Sequence, residues 1–482
     1  MDPSFAVVAN NCVIDKSGRL ASRKGHEAIT ADNTILAGAS TTAMMEFIDN
    51  TGASTFLSAG GAKLFSGTAT LTDITPVSYT PTGDDWQIVS FNNAAYFFQR
   101  GHEPLQYASG TLQTFSSAGA LGTVPQGNAA LAAFGRLWVA DIANDGHTLY
   151  WSDLLNGLTW TGGGGSSGTL NLRTAWPRGY DEVVAITAHN DFLIIFGKES
   201  ILVYSGAEDP AAMTLTDTIV DIGCVARDSV KIIGTDVLFL SQEGVRSLGR
   251  TIQEKSVAIG DISANIKDDI IGYIAAGTDN VCCTFSPADN LYLVSFPDVQ
   301  AAYAFDTRMR LENGAMRATL WTPVTHESYF TAQDGTLYIG TSDGVCKYDT
   351  YLDNATAYTM EYESPLLAFG DDQRLKFLKR IRGVLTGGGG TQATIKWSYG
   401  YGGGFYSRSV ALDSGDNEAA YYNEAEFGIG EFSSSVDSGT TAININANGS
   451  GELVTLGVTA LINGYSLGIQ GINLQTLLGK MI

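Results

Sequence analysis

A chain of 482 residues that is 44% hydrophobic and 16% charged holds enough apolar material for large cores and is not disordered throughout. Its length suggests two or three domains, or one large β domain with an appendix. The 28 Lys and Arg against 50 Asp and Glu give a formal charge of −22, spread over many loops, which argues against nucleic-acid binding because that binding needs cations to displace counterions.

The opening MDPSFAVVANN lacks a basic region followed by an apolar stretch. No apolar run reaches the ~20 residues that a membrane helix requires. A soluble protein made in a cytoplasm is expected. Glycine is abundant, at 56 residues, beside 21 Tyr and 21 Phe, the mix expected of aromatic-rich strands joined by many turns.

Along the first 350 residues or so, a short apolar strand, a polar turn and a second strand recur. The first strands begin near Phe56, Tyr96, Leu137, Phe192, Val237, Leu291 and Leu337. Partner strands follow in KLFSG, PLQYASG, TLYWSD, SILVYSG, GVRSLG, AAYAFD and GVCKYD. A period of roughly 40–55 residues with about four strands per unit predicts a β-propeller of six or seven blades, in which each blade buries its faces against its neighbours. A β-sandwich or β-solenoid is the plainer reading of the same strands.

One segment breaks the rhythm. Ile262, Ile266, Ile270 and Ile274 recur every four residues and predict one helix over Asp261 to Ala275, capped by Asp261 or Ser263, in a connection between blades. GGGGSSG, Gly162 to Gly168, reads as a flexible loop. After Asp349 the hairpin rhythm stops. In RLKFLKRIRGVL, Arg374 to Leu385, the apolar residues Leu375, Phe377, Ile381 and Leu385 mostly share one parity, as in a half-buried strand. Further strands around glycine turns follow to Ile482.

The expected organisation is therefore all-β: an N-terminal extended segment, 1–50, completing the propeller or the platform; a six- or seven-bladed propeller, 51–355; and a C-terminal β-sandwich or barrel-like platform, 356–482, that serves oligomerisation.

Motifs for chemistry are sparse. The five cysteines, Cys12, Cys224, Cys282, Cys283 and Cys346, are odd in number and fit no zinc or redox spacing. Cys282 and Cys283 read as small core residues, and no cofactor or metal site is expected. The acid pairs Asp84–Asp85, Asp268–Asp269 and Asp371–Asp372 could serve glycoside hydrolysis only if they faced one cleft, and solvated loops are the simpler account. Asp141, Asn144 and Asp145 lack the length of a calcium loop. SDLLNGLTW, Ser152 to Trp160, resembles the Asp-box hairpin of sialidase-type propellers, although Asp153 follows Ser152 directly and an extra residue precedes Gly157. In those proteins the box is a blade-edge turn away from the active site. Arg374, Lys376, Lys379, Arg380 and Arg382 form the one basic concentration, a candidate assembly interface or, more plainly, a solvated strand edge.

The opening NNCVIDKSGRLASRKGH, with Gly18, Leu20, Arg23 and Gly25, is similar to the start of tail tube or nozzle proteins of short-tailed phages, also called phage stabilisation or tail accessory proteins. HTLYWSDLLNGLTW, NDFLIIFGKESILVYSG, GCVARDSVKIIGTDVLFLSQEGVRSL, NLYLVSF with AYAFDTR, and SPLLAFGDDQRLKFLKRIRGVL resemble later segments of that family in the same order. The resemblance implies a structural protein, not an enzyme. It implies a homo-oligomeric ring, usually a hexamer, below the portal and its adaptor in the virion tail. Adaptor proteins and tail fibres or spikes would be its partners, and viral DNA would pass through its channel without specific binding. No membrane is involved. The alternative is a glycan-binding or glycan-cleaving propeller of a tail or cell surface.

Overall fold

The computed structural model describes residues 6–83, 85–254, 261–277, 280–370, 373–400, 404–412 and 440–481. The chain divides into two compact units. One comprises residues 28–318 and 323–347; the other gathers residues 1–27, 319–322 and 348–482.

The first unit is a seven-bladed β-propeller. Its innermost strands, in chain order, are Thr41–Ile48, Gln87–Phe91, Gly127–Ala133, Val183–His189, Lys231–Ile233, Cys282–Ser286 and Ser328–Thr331. From each, antiparallel strands run outward, four per sheet in the first four blades. Tight turns join the first two strands of a blade. Asn92–Asn93, Phe134–Gly135 and Asn190–Asp191 all take positive φ at both turn positions, the twist that two-residue hairpins need.

Hydrophobic cores lie between blades. Leu193 and Ile195 join Trp138, Trp151 and Trp176 on the side of the third blade, whereas Ile194 and Phe196 join Val237 and Phe239 of the fifth. The second strand of the fourth blade, Phe192–Gly197, therefore reads as a continuous apolar run: alternate side chains face different neighbours, and both faces are buried. Tyr96 and Phe98 face the third blade beside Trp160, while Ala95 and Phe97 face the first beside Phe47 and Trp86. Each fully buried Phe or Leu side chain contributes about 1.5–3 kcal/mol, and none of it is gained by a blade standing alone.

The ring closes where the seventh blade meets the first. Ser328 Oγ donates to Thr41 O at 2.6 Å, and Ser40 Oγ to Glu327 Oε1 at 2.8 Å. A Cβ on Gly340 would fall 2.1 Å from both Ser328 Oγ and Thr41 O, so only glycine permits this approach. The incoming chain seals the seam: Ile29 N donates to Val345 O at 2.9 Å, and Val345 N to Thr30 Oγ1 at 3.0 Å.

The helical segment between the fifth and sixth blades begins later than its isoleucine spacing suggests. Residues Ala264–Ile266 form a 3-10 turn and the α-helix spans Lys267–Ala276. Ser263 Oγ donates to Asp261 Oδ1 and accepts from Val245 N, which pins the preceding residues to the blade. Ile262 and Ile270 are buried, as the four-residue spacing expects. A second helix, Leu248–Glu254, precedes it.

The second unit is a sandwich of two sheets. One orders Val8–Asn10, Tyr358–Glu363, Val454–Ile462, Gln392–Tyr399 and Tyr406–Ala411. The other orders Cys12–Ile14, Leu20–Ser22, Leu467–Met481, Arg374–Gly387 and Thr440–Asn446. Trp397, Ile395, Met360 and Val458 of the first pack on Leu378, Ile381, Leu385 and Leu467 of the second.

Arg23 anchors the N-terminal strands of this unit. Its side chain is fully buried, with Nη1 and Nη2 on the two carboxylate oxygens of Asp353 at 2.8 and 2.6 Å and Nε on Asn11 Oδ1 at 2.8 Å. The guanidinium lies 4.1 Å from the Tyr358 ring centroid and 5.5 Å from that of Trp321. Burial works against its charge, and Asp353 more than restores it, so the net shift is upward. Asn11, at φ 54°, donates Nδ2 to Thr322 O and Thr359 O. A Cβ on Gly25 would strike Leu352 O at 2.0 Å.

Candidate functional site

The basic segment lies on the 14-residue strand Arg374–Gly387. It pairs along its length with Leu467–Met481, with irregularities between Arg374 and Lys376, Leu378 and Arg380, and Val384 and Leu385. These break the simple alternation. The buried residues are Lys376, Leu378, Ile381 and Leu385, while Leu375 and Phe377 are half-buried.

The five basic residues accordingly separate, correcting the single strip that the sequence suggests. Lys376 is fully buried, and its Nζ donates to Glu452 O at 2.6 Å. It is a core anchor that no partner could touch. Arg374, Lys379, Arg380 and Arg382 are exposed. Lys379, Arg380 and Arg382 line an open concavity of about 640 Å³ together with Asn473, Leu474 and Gln475. Cross-strand register sets Arg380 opposite Gln475 and Arg382 opposite Asn473. None of the three cations forms an ion pair with a described residue, so each offers its charge outward.

The strand Leu467–Met481 adds a second feature. On its other edge it pairs only through Gly468 and Ile469, with Ala21 and Leu20. From Gln470 onward that edge meets no described strand. Leu477 and Leu478 there are 58% and 50% exposed.

The propeller carries a charged group that sequence reasoning missed. Arg227, between the fourth and fifth blades, binds Asp228 at 2.6 Å and also Asp85, just before the innermost strand of the second blade. It further donates to Asn128 O at 3.2 Å in the third blade and Trp86 O at 3.3 Å. One guanidinium thus ties together the inner-strand ends of three blades. Burial pushes the Asp85 carboxyl up to about 8, against the pull of Arg227 and with the repulsion of Asp228. For Asp228 burial acts in the same direction, but Arg227 wins and the net shift is downward. The two carboxyls compete for one cation, which holds Asp228 down and leaves Asp85 up. The only sequence signal was the juxtaposed pair Arg227–Asp228 in an otherwise apolar stretch.

The other candidates fall apart as chemistry. Asp85 sits in the Arg227 group, Asp268 and Asp269 lie in the first turn of a helix, and Asp84, Asp371 and Asp372 lie outside the described residues. Asp141 pairs with Arg100, and Asp145 accepts from Thr148 Oγ1 at 2.7 Å. Asp153, of the Asp-box-like turn, accepts from Ser166 N and Oγ at 2.8 and 2.9 Å. This bond folds the glycine-rich loop, expected to be flexible, back onto the third blade. The five cysteines are buried free thiols. Burial raises all of them, Cys224 and Cys346 to about 11 and Cys283 to about 12. They are poor nucleophiles and poor ligands. Among the described residues no group of three His, Cys, Asp or Glu is placed to hold a metal ion.

No family model matches the chain, and no curated protein matches it significantly. Solved structures are similar to it at low identity. The extracellular domain of a one-component system of B. thetaiotaomicron is 11% identical with a TM-score of 0.46; the match covers 81% of this chain and 48% of that one. The Pan2 WD40 domain of Neurospora crassa is 10% identical with a TM-score of 0.37, covering 68% of this chain and 95% of that one. An exo-β-1,3-galactanase of Phanerochaete chrysosporium is 9% identical with a TM-score of 0.27, covering 96% and 100%.

Proposed function

We propose that this chain is a ring-forming structural component of a short phage tail, a nozzle or tube subunit that acts by assembly rather than by turnover. The observation that carries the reading is the exposed cationic concavity of Lys379, Arg380 and Arg382 in a chain of charge −22. A closed ring of like subunits needs two unlike patches on each, and a local positive site on an otherwise acidic molecule supplies such a pair. Charge pairing sets register and encounter rate, and apolar contact holds the assembly. The ordered resemblance of several segments to tail nozzle proteins supports the same reading. In it, portal-adaptor and tail fibre or spike proteins are the other partners, and viral DNA moves through a channel whose acidic wall repels phosphate.

Electron microscopy and mass measurement of the purified chain test this. Rings, six-membered in the family's usual form, are expected. Reversing Arg374, Lys379 and Arg382 to Glu should give folded monomers at physiological salt. A wild-type chain that stays monomeric, or that cleaves a glycan at ordinary enzyme rates, would overturn the proposal.

A further inference from the structure

Resting on the ring-forming reading, we infer that the open edge of the strand Leu467–Met481 receives the outer strand of the fourth propeller blade, Thr214–Val220, from a second copy of this chain. From Gln470 to Met481 the edge presents about 40 Å of backbone donors and acceptors with no described partner strand. Such an edge is a template for strand addition. It lies beside the concavity of Lys379, Arg380 and Arg382, and it exposes Leu477 and Leu478.

A partner strand must be open, long enough, apolar in part and acidic. The terminal strands of other blade sheets, Thr72–Asp73, Thr111–Thr114, Gly168–Asn171 and Gly244–Ser247, are four residues or shorter. The sandwich edges Tyr406–Ala411 and Thr440–Asn446 are longer, but the first carries Arg408 and the second no charge. Thr214–Val220 spans seven residues, pairs only with Ser200–Ser205 among the described strands, and exposes Leu215 and Val220 by 41% and 42%. Residues 208–221 hold Glu208, Asp209, Asp217 and Asp221, the last already paired with Arg178, and no Lys or Arg. Charge and apolar exposure therefore match across the two edges. The contact is heterologous: each copy gives one edge and receives the other, as ring growth requires.

The test is cross-linking between separately purified variants, Leu477→Cys and Leu215→Cys, mixed and oxidised; the five native thiols are buried and stay silent. A disulfide-linked dimer that forms only in the mixture is expected. Leu477→Lys with Leu478→Lys should weaken association by roughly tenfold or more while the far-UV spectrum stays unchanged. Leu477→Cys cross-linking to itself, or to Ser407→Cys in preference to Leu215→Cys, would overturn the assigned partner. Rings that form normally with Lys at 477 and 478 would overturn the edge itself and leave the ring-forming reading standing. Binding of a short DNA duplex that is abolished by Arg380→Glu with Arg382→Glu, with assembly unchanged, would reassign the concavity to nucleic acid. A monomeric wild-type chain would overturn both readings.

Discussion

The propeller and the sandwich handle their cations in opposite ways. In the propeller, Arg227 is surrounded by Asp85, Asp228 and two backbone carbonyls, and the inner strands close on themselves through Ser328 and Thr41. Among the described residues, the sandwich places three cations on its surface without an ionic partner and leaves most of one edge of a 15-residue strand unpaired. A region that satisfies its own polar groups is built to persist, and one that displays them is built to meet something. The sandwich has its own lock, however, in Arg23 and Asp353, so its openness is confined to one strand pair rather than being general looseness.

The sharpest way to break this comparison is to remove the sandwich's lock. Arg23→Leu strands Asp353 and Asn11, and should cost about 3–5 kcal/mol, the usual result of deleting one partner of a buried ion pair. Hydrogen exchange should rise in residues 8–22 and 353–363 while the blade strands keep their protection. Equal loss in both units would show that they unfold as one. Arg227→Met is the corresponding change in the propeller. Both of its carboxylates remain partly exposed, so a smaller cost of about 2–3 kcal/mol is expected by thermal or urea denaturation.

A third measurement isolates Asp85. Its folded value of about 8 lies above the value near 4 of an unfolded carboxyl. The folded state therefore binds more protons in that window, and stability is full below about pH 4 and falls as pH rises through about 8. The melting temperature should drop between about pH 4 and 8, and Asp85→Asn, which cannot ionise, should flatten the slope. A slope unchanged by Asp85→Asn would assign it elsewhere, to Asp141, whose carboxyl burial also raises. The smallest stability effect belongs to the exposed cations: Lys379, Arg380 and Arg382 to Glu together should change unfolding by about 0.5 kcal/mol or less, since none forms an ion pair with a described residue and only Lys379 touches a ring, that of Phe377 at 5.6 Å. A larger loss would mean that the strip serves the sandwich itself.

Much of the propeller was legible because its signals are local. Runs such as Phe192–Gly197 report burial on both faces directly, and their hairpins with the next strand were read, but each of these strands proves to be the second of its blade, and innermost strands such as Gln87–Phe91 were not read. The strand at Arg374 was equally legible, yet its parity was misjudged. The irregularity between Leu378 and Arg380 shifts which side chains point inward, and a bulge leaves no mark on composition. Lys376 therefore reads as basic surface and proves to be core. The Arg23–Asp353 pair joins residues 330 positions apart, and the Arg227 group draws on three blades. Neither has a period or a spacing by which one sequence could reveal it.

The seam between Ile29 and Val345, and the pairing of Leu20 and Ala21 with Ile469 and Gly468, bear on how the molecule is made. During translation the earliest strands leave the ribosome hundreds of residues before their partners exist. The propeller cannot lock until Val345 has emerged, and the sandwich waits for Gly468 and Ile469. Interior hairpins can form as they appear, but both final closures are contacts of great sequence separation, which fold slowly and expose apolar edges meanwhile. Until both closures are made these strands stay unsheathed, a period in which a chaperone would find them.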